Sequence, residues 1–267
     1  MLWMPTLSCT AQSETQESKI KTDTSETVKV EETKIISGVF AHVGEIPTPQ
    51  GFERIPAAEH SYAAFLRNQE LKTENNLVYL YDGSLKSYQG AQFAVLKLDV
   101  GKRDLQQCAD AVMRFRGEYL YQEKKYADIK FNFLSDGKPR YYSDYAKGNN
   151  SPEKFRKYMD YIFAYANTGS LKNELQPVAN FSDMQIGDVL IQKGVPYGHA
   201  VTVMDMAADS EGRIIYMLSQ SYMPAQDIHI LKNPDHAELS PWYLIDSDDE
   251  IRTPQWIFYH GDLRRFK

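Results

Sequence analysis

The sequence predicts an α+β fold in which helices pack on a mostly antiparallel sheet. Two observations lead to this prediction. Helical periodicity dominates residues 57–166, whereas short strands separated by Gly, Asp and Pro turns follow one another in the last third of the chain. Strands joined by short turns pair antiparallel, and helices grouped apart from strands are typical of α+β folds. The apolar share of 42% is sufficient for a sizeable core.

The first part of the folded region predicts three helices with short strands between them. Asp104, a good N-cap residue, opens the most regular helix, in which Cys108 and Val112 recur at helical spacing. Ser151 and Pro152 start another helix, because proline fits the first helical position. The remaining predictions are a helix at 57–71 and extended segments at 52–55, 77–81, 92–100 and 129–133.

The last third predicts a strand meander, with strands at 187–192, 200–206, 213–219 and 256–259. The chain contains no internal repeat, and no second linker interrupts it after residue 35. We therefore predict a single globular α+β domain over residues 35–267.

The first 34 residues differ in composition from the rest. A short apolar run ends at Cys9, and residues 10–34 are mostly polar and charged, so they bury too little surface to fold. This order of segments resembles the processing site of a bacterial lipoprotein, in which an apolar run, a small residue and a cysteine are followed by a polar linker. The resemblance implies a truncated signal segment at 1–9, a flexible tether at 10–34 and a lipid anchor at Cys9. The alternative is a disordered cytoplasmic tail in which Cys9 is incidental.

Charge and composition argue against several function classes. The net charge is −6 with no long run of one sign, which argues against a nucleic-acid partner. No run approaches the roughly 20 apolar residues that a bilayer span needs. Cys9 and Cys108 are the only cysteines, so we expect neither a disulfide framework nor a cysteine-based zinc site, and no cofactor.

His199 is the first candidate for chemistry. It stands at the start of a predicted strand, and strand alternation places it on one face with Val201 and Val203. A histidine at the edge of a core face has a fixed orientation and a shifted pKa, which suits it to catalysis. The alternative is a histidine that caps the strand end and hydrogen-bonds a loop carbonyl.

The surroundings of His199 resemble papain-like amidases and peptidases of the bacterial cell wall, the NlpC/P60 and CHAP type. Residues 187–191 read Gly-Asp-Val-Leu-Ile and residues 198–201 read Gly-His-Ala-Val, in the order and spacing of those enzymes. The resemblance implies a papain-like (NlpC/P60-type) arrangement, in which a polar residue of the next strand orients His199. Leu218 and Gln220 share a strand face, which makes Gln220 the candidate for that role.

Cys108 is the nucleophile that this resemblance implies. Such enzymes place a cysteine at a helix N-terminus, where the helix dipole and the histidine lower the thiol pKa. Cys108 precedes His199, lies on a predicted helix and is the only cysteine of the predicted domain. A helix start at Asp104 puts Cys108 in the second turn, within the apolar stripe, so a buried core cysteine is the alternative.

Three runs of the sequence resemble an uncharacterised bacterial family, domain of unknown function 4846, frequent in Bacteroidetes. The runs are residues 104–112, 165–171 and 219–229. The resemblance implies export and a place in the cell envelope, in the periplasm or on the outer membrane as a lipoprotein. It implies no particular activity.

We therefore expect a papain-like cysteine amidase or peptidase of the bacterial envelope, a hydrolase of cell-wall peptide or a related amide. Cys108 attacks the carbonyl, His199 is base and then acid, and Gln220 orients the imidazole. The alternative is a non-catalytic envelope lipoprotein that binds a glycan or peptide. In either case the lipid on Cys9 anchors the protein to a membrane. A third hypothesis is a structural component of an outer-membrane complex, for which the sequence offers no positive sign.

The binding alternative predicts a buried Cys108 and a groove lined by aromatic rings. The rings that could line it, or fill the rim of the core instead, are Tyr119, Tyr121, Tyr126, Tyr141, Tyr142 and Trp242. Asp227 and His229 share a strand face, with Asp235 and His236 nearby, which gives a weaker metal-site hypothesis.

Overall fold

The computed structural model describes residues 36–246 and 248–267, which belong to one compact unit. The predicted signal segment at 1–9, Cys9 itself and the tether at 10–34 lie outside the described residues. The helices are α1 (Tyr62–Arg67), α2 (Cys108–Gln122), α3 (Tyr142–Ala146), α4 (Pro152–Tyr165) and α5 (Thr168–Glu174). Short 3-10 helices lie at Val43–Glu45, Tyr126–Asp128, Phe181–Asp183 and His260–Asp262.

The strands of the described residues form one large sheet and two separate hairpins. They are β1 (Phe52–Arg54), β2 (Gln92–Val95), β3 (Lys130–Asn132), β4 (Pro139–Tyr141), β5 (Gln176–Pro177), β6 (Val189–Gln192), β7 (His199–Asp209), β8 (Ile214–Gln220), β9 (His229–Leu231), β10 (Trp242–Leu244), β11 (Glu250–Arg252), β12 (Ile257–Tyr259) and β13 (Leu263–Arg265). The sheet runs β2-β9-β8-β7-β6-β13-β5, with β1 beside β7 and β10 beside β8. Every pairing is antiparallel, which confirms the α+β class and the antiparallel sheet.

The long hairpin of β7 and β8 forms the centre of the sheet and is buried on both faces. Ala200 and Met204 belong to the larger core, which the helices complete, whereas Val201 and Val203 belong to a second core on the other face. A bulge between Val203 and Asp205 shifts the register. Because neither face reaches solvent, a polar side chain on β7 needs a partner inside the protein.

Helix α2 packs with α4 against the Ala200 face of the sheet, but it begins later than the sequence indicates. Its first residue is Cys108, so the predicted start at Asp104 is wrong. Asp104 Oδ1 instead accepts hydrogen bonds from Gln107 Nε2 at 2.9 Å and from the Ala225 N–H at 2.7 Å. These bonds satisfy the Asp104 side chain outside the helix and hold the loop before α2 against the loop after β8.

Other boundaries also differ from the prediction. Helix α4 begins as expected, because Ser151 Oγ accepts the Lys154 N–H at 3.2 Å and Pro152 occupies the first helical position. The predicted helix at 57–71 shortens to α1, capped by Ser61. Residues 77–81 form isolated bridges rather than a strand, because their five backbone N–H groups donate to five separate partners, one of them the Asp227 carboxylate.

Candidate active site

His199 is the first residue of β7 and is placed by a tight turn after β6. Gln192 and His199 face each other across the two strands, so residues 193–198 close the hairpin. A Cβ on Gly198 would lie 2.2 Å from the Gln192 carbonyl oxygen, inside contact distance. Glycine is therefore required before His199, and the turn brings the histidine to the end of the sheet.

The His199 imidazole is fully buried and held by one nitrogen. Its Nε2 lies 2.8 Å from Oε1 of Gln220, the last residue of β8. The rings of Tyr222, Trp256 and Phe258 surround it, with centroids 5.0, 5.3 and 5.8 Å away. Its Nδ1 has no hydrogen-bond partner among the described residues. The fold thus brings together His199 and Gln220, the base and the orienting residue of the sequence hypothesis.

Gln220 belongs to a longer network of buried side chains, most of which the sequence analysis did not include. Gln220 Nε2 lies 3.2 Å from His229 Nε2 and 2.9 Å from Gln255 Oε1. Lys86 Nζ donates to the same Gln255 oxygen at 2.8 Å. His229 Nδ1 lies 3.0 Å from the Asp227 carbonyl oxygen. Strand alternation on β9 could have placed His229 on a core face, but no local signal marks Lys86 or Gln255.

Burial keeps both imidazoles of the network neutral at pH 7. Burial, with a smaller contribution from the nearby Lys86 charge, lowers the pKa of His199 to about 4 and that of His229 to about 3. Burial also lowers the pKa of Lys86, to about 8. A neutral imidazole with an unpaired nitrogen is a proton acceptor, so the site suits general-base chemistry.

Cys108 occupies the first position of α2, where the helix dipole favours a thiolate. Its side chain is nevertheless only 3% exposed. Burial, with a smaller contribution from the Asp110 carboxylate, raises the pKa of the Cys108 thiol to about 12. Desolvation therefore outweighs the dipole, and the resting group is a neutral thiol.

The thiol and the imidazole are not in hydrogen-bond contact. No bond between Cys108 Sγ and the unpaired His199 Nδ1 joins them in the described part of the chain. Since α2 packs on the Ala200 face and His199 shares the Val201 face, the thiol reaches the imidazole only around the end of β7. The half-buried Tyr222 lies at this end: burial and then the Cys108 charge raise its pKa.

The ends of α2 and β8 are tied together beside Tyr222. Ser221 Oγ lies 2.9 Å from the Gln106 carbonyl oxygen, two residues before Cys108. It also lies 3.0 Å from the Gln226 carbonyl oxygen, so the hydroxyl bridges both segments. This contact fixes the start of α2 relative to the strand that carries Gln220.

Cys108 lines a cavity of about 550 Å³. Gly198, Thr168 and Phe163 form part of its wall, which therefore joins the turn before His199 to the ends of α5 and α4. Its charged lining residues are Asp104, Asp110 and Lys193. Asp110 Oδ1 is buried without a partner, and burial raises the pKa of that carboxyl well above its usual value. The cavity is large enough for a short peptide segment and offers it a polar floor.

The Gly-Asp pair before β6 is a structural element rather than part of the chemistry. Gly187 has a φ of +94°, and a Cβ there would lie 2.5 Å from the Tyr62 ring, so glycine is required on both counts. Asp188 is buried and accepts two bonds from Arg265, at 2.6 and 2.7 Å. A third bond comes from the Gln185 N–H at 2.8 Å. The pair therefore closes the turn and fastens β6 to β13.

Asp227 and His229 do not form a metal site. Asp227 Oδ2 accepts a bond from Lys72 Nζ at 2.7 Å and one from the Tyr79 N–H at 2.8 Å. Among the described residues, no group of three or more His, Cys, Asp or Glu side chains could hold a metal ion. The carboxylate is thus engaged elsewhere, and His229 turns toward Gln220.

The aromatic residues that might have lined a groove lie largely in the core. Tyr142 and Trp242 are fully buried, and Tyr119 nearly so. Tyr121 stacks on Phe155 with ring centroids 4.3 Å apart. Tyr141 remains partly exposed on β4. Tyr142 and Trp242 therefore stabilise the core. Tyr121 lines a separate cavity of about 290 Å³, and Tyr119 and Tyr141 line another of about 480 Å³.

The fold and the site define an α+β protein with a buried imidazole–amide network at the end of its sheet and a cysteine-lined cavity beside it. The chain belongs to the family Domain of unknown function (4846), whose model matches residues 43–265. Neither the comparison with curated proteins nor the comparison with solved structures gives a match. In the described part of the chain, no helix is both long and apolar enough for a membrane crossing.

Proposed function

We propose that this protein is a papain-like cysteine amidase or peptidase of the bacterial envelope that hydrolyses cell-wall peptide or a related amide. One observation carries the proposal: His199 is held at Nε2 by Gln220 and leaves Nδ1 unpaired, beside a cavity that Cys108 lines. A histidine base oriented through its far nitrogen, with a helix-terminal cysteine nearby, is the arrangement that cysteine hydrolysis needs.

The chemistry proceeds by acyl transfer to sulfur. As Cys108 Sγ bonds to the carbonyl carbon, His199 Nδ1 takes the thiol proton; the carbon–nitrogen bond then breaks, and the leaving amine takes that proton from Nδ1. Water next attacks the thioester and gives a proton to Nδ1, the carbon–sulfur bond breaks, and Cys108 recovers its proton. Gln220 keeps the ring aligned throughout, because it binds the nitrogen that does not react.

The resting charges favour proton transfer at the moment of attack over a preformed ion pair. A thiol with a pKa of about 12 beside an imidazole with a pKa of about 4 stays neutral, as does the imidazole. Substrate entry must therefore bring Sγ and Nδ1 together, and Tyr222 is the side chain that has to yield. Activity on this route needs the unprotonated imidazole, so it falls as the pH drops toward the pKa of His199.

Envelope location is part of the same proposal. Lipidation at Cys9 would tether the domain to a membrane through residues 10–34 and leave the cavity free to meet periplasmic peptides. The cavity lining supports a peptide ligand, since it combines apolar side chains with Lys193 and two carboxyl groups.

A non-catalytic lipoprotein that binds a glycan or peptide is the second candidate, and one observation favours it. Cys108 is 3% exposed and its pKa is raised, which is typical of a structural cysteine. In that case the cavity binds its ligand without forming a thioester.

Cell-wall peptides and synthetic peptide amides, incubated with the protein and followed by mass spectrometry, test the two candidates. If the protein is a hydrolase, new amine and carboxylate ends should form. The rate of their formation should fall by at least about 10²-fold in Cys108→Ala and in His199→Ala. His236→Ala, which alters an exposed histidine, is the matched control and should keep full activity.

Iodoacetamide labelling at neutral pH gives a second measure. The hydrolase predicts that Cys108 is alkylated faster in the presence of a peptide amide that is not cleaved, because the ligand displaces Tyr222. No cleavage with any peptide, together with peptide binding that survives Cys108→Ala, would overturn the hydrolase in favour of the binding protein.

A further inference from the structure

We propose that His229 and Gln255 are positioning residues that act through Gln220 to fix the tautomer of His199. They hold the His199 hydrogen on Nε2 and leave the lone pair of Nδ1 free to accept a proton. The catalytic consequence rests on the proposed hydrolase function, whereas the tautomer itself does not. Five contacts carry the inference, and two of them have an end whose donor or acceptor character is known: the Asp227 carbonyl oxygen and the Lys86 ammonium.

The first anchor starts at the backbone of Asp227. A carbonyl oxygen only accepts hydrogen bonds, so His229 Nδ1, 3.0 Å away, must carry the hydrogen. A neutral His229 then has an unprotonated Nε2, which only accepts. The Gln220 group 3.2 Å from that nitrogen must be the amide NH₂ rather than the oxygen.

The second anchor starts at Lys86 and reaches the same conclusion independently. An ammonium only donates, so the Gln255 atom 2.8 Å from Lys86 Nζ must be the oxygen. Gln220 lies 2.9 Å from that oxygen and therefore presents its NH₂ group there as well. Both hydrogens of the Gln220 amide are thereby used, one toward His229 and one toward Gln255.

The orientation of the Gln220 amide decides the state of His199. With its NH₂ group engaged on both sides, Gln220 turns Oε1 toward His199 Nε2 at 2.8 Å. An amide oxygen only accepts, so His199 Nε2 carries the hydrogen and Nδ1 carries the lone pair. Nδ1 has no hydrogen-bond partner among the described residues, so its lone pair is free. A reversed amide would put the hydrogen on Nδ1 and remove the base.

Burial and the Lys86 charge maintain the hydrogen bonds that Gln220 donates to His229 and Gln255. His199, Gln220 and His229 are all essentially inaccessible to solvent, so water does not compete for these bonds. Lys86 is the charged group that faces the network, and its ammonium also lies over the Tyr222 ring, 5.5 Å from the centroid. Its positive charge disfavours a proton on either imidazole, which preserves the accepting nitrogen of His229.

Nitrogen NMR of the full chain with ¹⁵N-labelled histidine tests the inference, because the two ring nitrogens differ strongly in shift when one carries hydrogen. The wild type should show His199 with hydrogen on Nε2 alone, its signals assigned by their loss in His199→Gln. His229→Phe and Gln255→Leu each keep one anchor and should keep that tautomer. The double variant should give a mixture, whereas His236→Phe should change nothing.

A wild-type His199 with hydrogen on Nδ1 would overturn the inference, and that result needs no variant to fold. An unchanged tautomer in a folded double variant would also overturn it. The activity arm predicts a loss of kcat on the order of 10²-fold in the double variant, with KM unchanged. If the predicted tautomer is found but no amide is cleaved, the hydrolase proposal fails and the positioning inference stands.

Discussion

The two halves of β7 each bury a polar side chain, and they satisfy it differently. In the second half, Asp205 accepts bonds from Arg54 Nε at 2.7 Å, Arg67 Nε at 2.5 Å and the Met206 N–H at 2.8 Å. Both carboxylate oxygens are therefore paired with a donor. At the start of the strand, His199 is equally buried, but among the described residues only its Nε2 has a hydrogen-bond partner.

The difference is between a buried group with every polar atom paired and a buried group with a free nitrogen. A buried carboxylate with two guanidinium partners is a closed unit that joins β1 and α1 to the sheet. A buried nitrogen without a partner costs about 1–3 kcal/mol, and folding alone gives no reason to keep it. We therefore expect chemistry at the His199 end of β7. Three measurements test the contrast between His199 and Asp205.

The largest expected effect on the free energy of unfolding is that of replacing Asp205. Asp205→Ala leaves two half-buried guanidinium groups without their carboxylate, so the free energy of unfolding should fall by about 3–5 kcal/mol. Urea denaturation measures this loss. Glu211→Ala, at a 75% exposed side chain on the turn after β7, is the control and should stay within about 0.5 kcal/mol of the wild type. A loss below 1 kcal/mol for Asp205→Ala would remove the contrast.

His199 should contribute to the acid dependence of stability, together with His229, whose pKa burial lowers to about 3. Burial lowers the folded-state pKa of His199 to about 4, below the ordinary value of 6.5 that the unfolded chain keeps. Its contribution is thus fully present above pH 6.5 and is lost as the pH falls through 4, because the unfolded state binds the proton first. The expected loss is on the order of 3 kcal/mol, measured by urea denaturation across that range. In His199→Phe the curve should be flatter, and an equally steep curve would contradict the assignment.

The smallest effect is the stability cost of removing the imidazole itself. His199→Phe keeps the ring volume among Trp256 and Phe258 but leaves Gln220 Oε1 unpaired, so the free energy of unfolding should fall by only about 1–2 kcal/mol at pH 7. Thermal or urea unfolding measures it, with His236→Phe as the surface control. A cost as large as that of Asp205→Ala would make His199 a structural residue.

Part of the site was predictable because strand alternation is a local property. A period of two places the faces of His199 at the start of β7 and of Gln220 on the next strand, and the resemblance to papain-like amidases suggested that they pair; they lie 2.8 Å apart. Helix boundaries were less accessible. Asp104 has the chemistry of an N-cap residue, but its carboxylate is used by the Ala225 N–H instead, so α2 starts at Cys108. The preference of a residue type for the N-cap position is a local property. It therefore does not predict a hydrogen-bond partner more than a hundred residues away in the sequence.

The sequence by itself determined the α+β class and the antiparallel sheet, since both depend on periodicity and on neighbouring strands. The His199–Gln220 pair was predicted from the resemblance to papain-like amidases together with strand alternation. Only the tertiary structure decided the rest. His229 and Gln255 bond to Gln220 from two separate segments, and Lys86 reaches it through Gln255. Cys108 lies at a helix N-terminus yet is buried. Burial and long-range hydrogen bonds depend on how distant segments pack, and no local pattern encodes them.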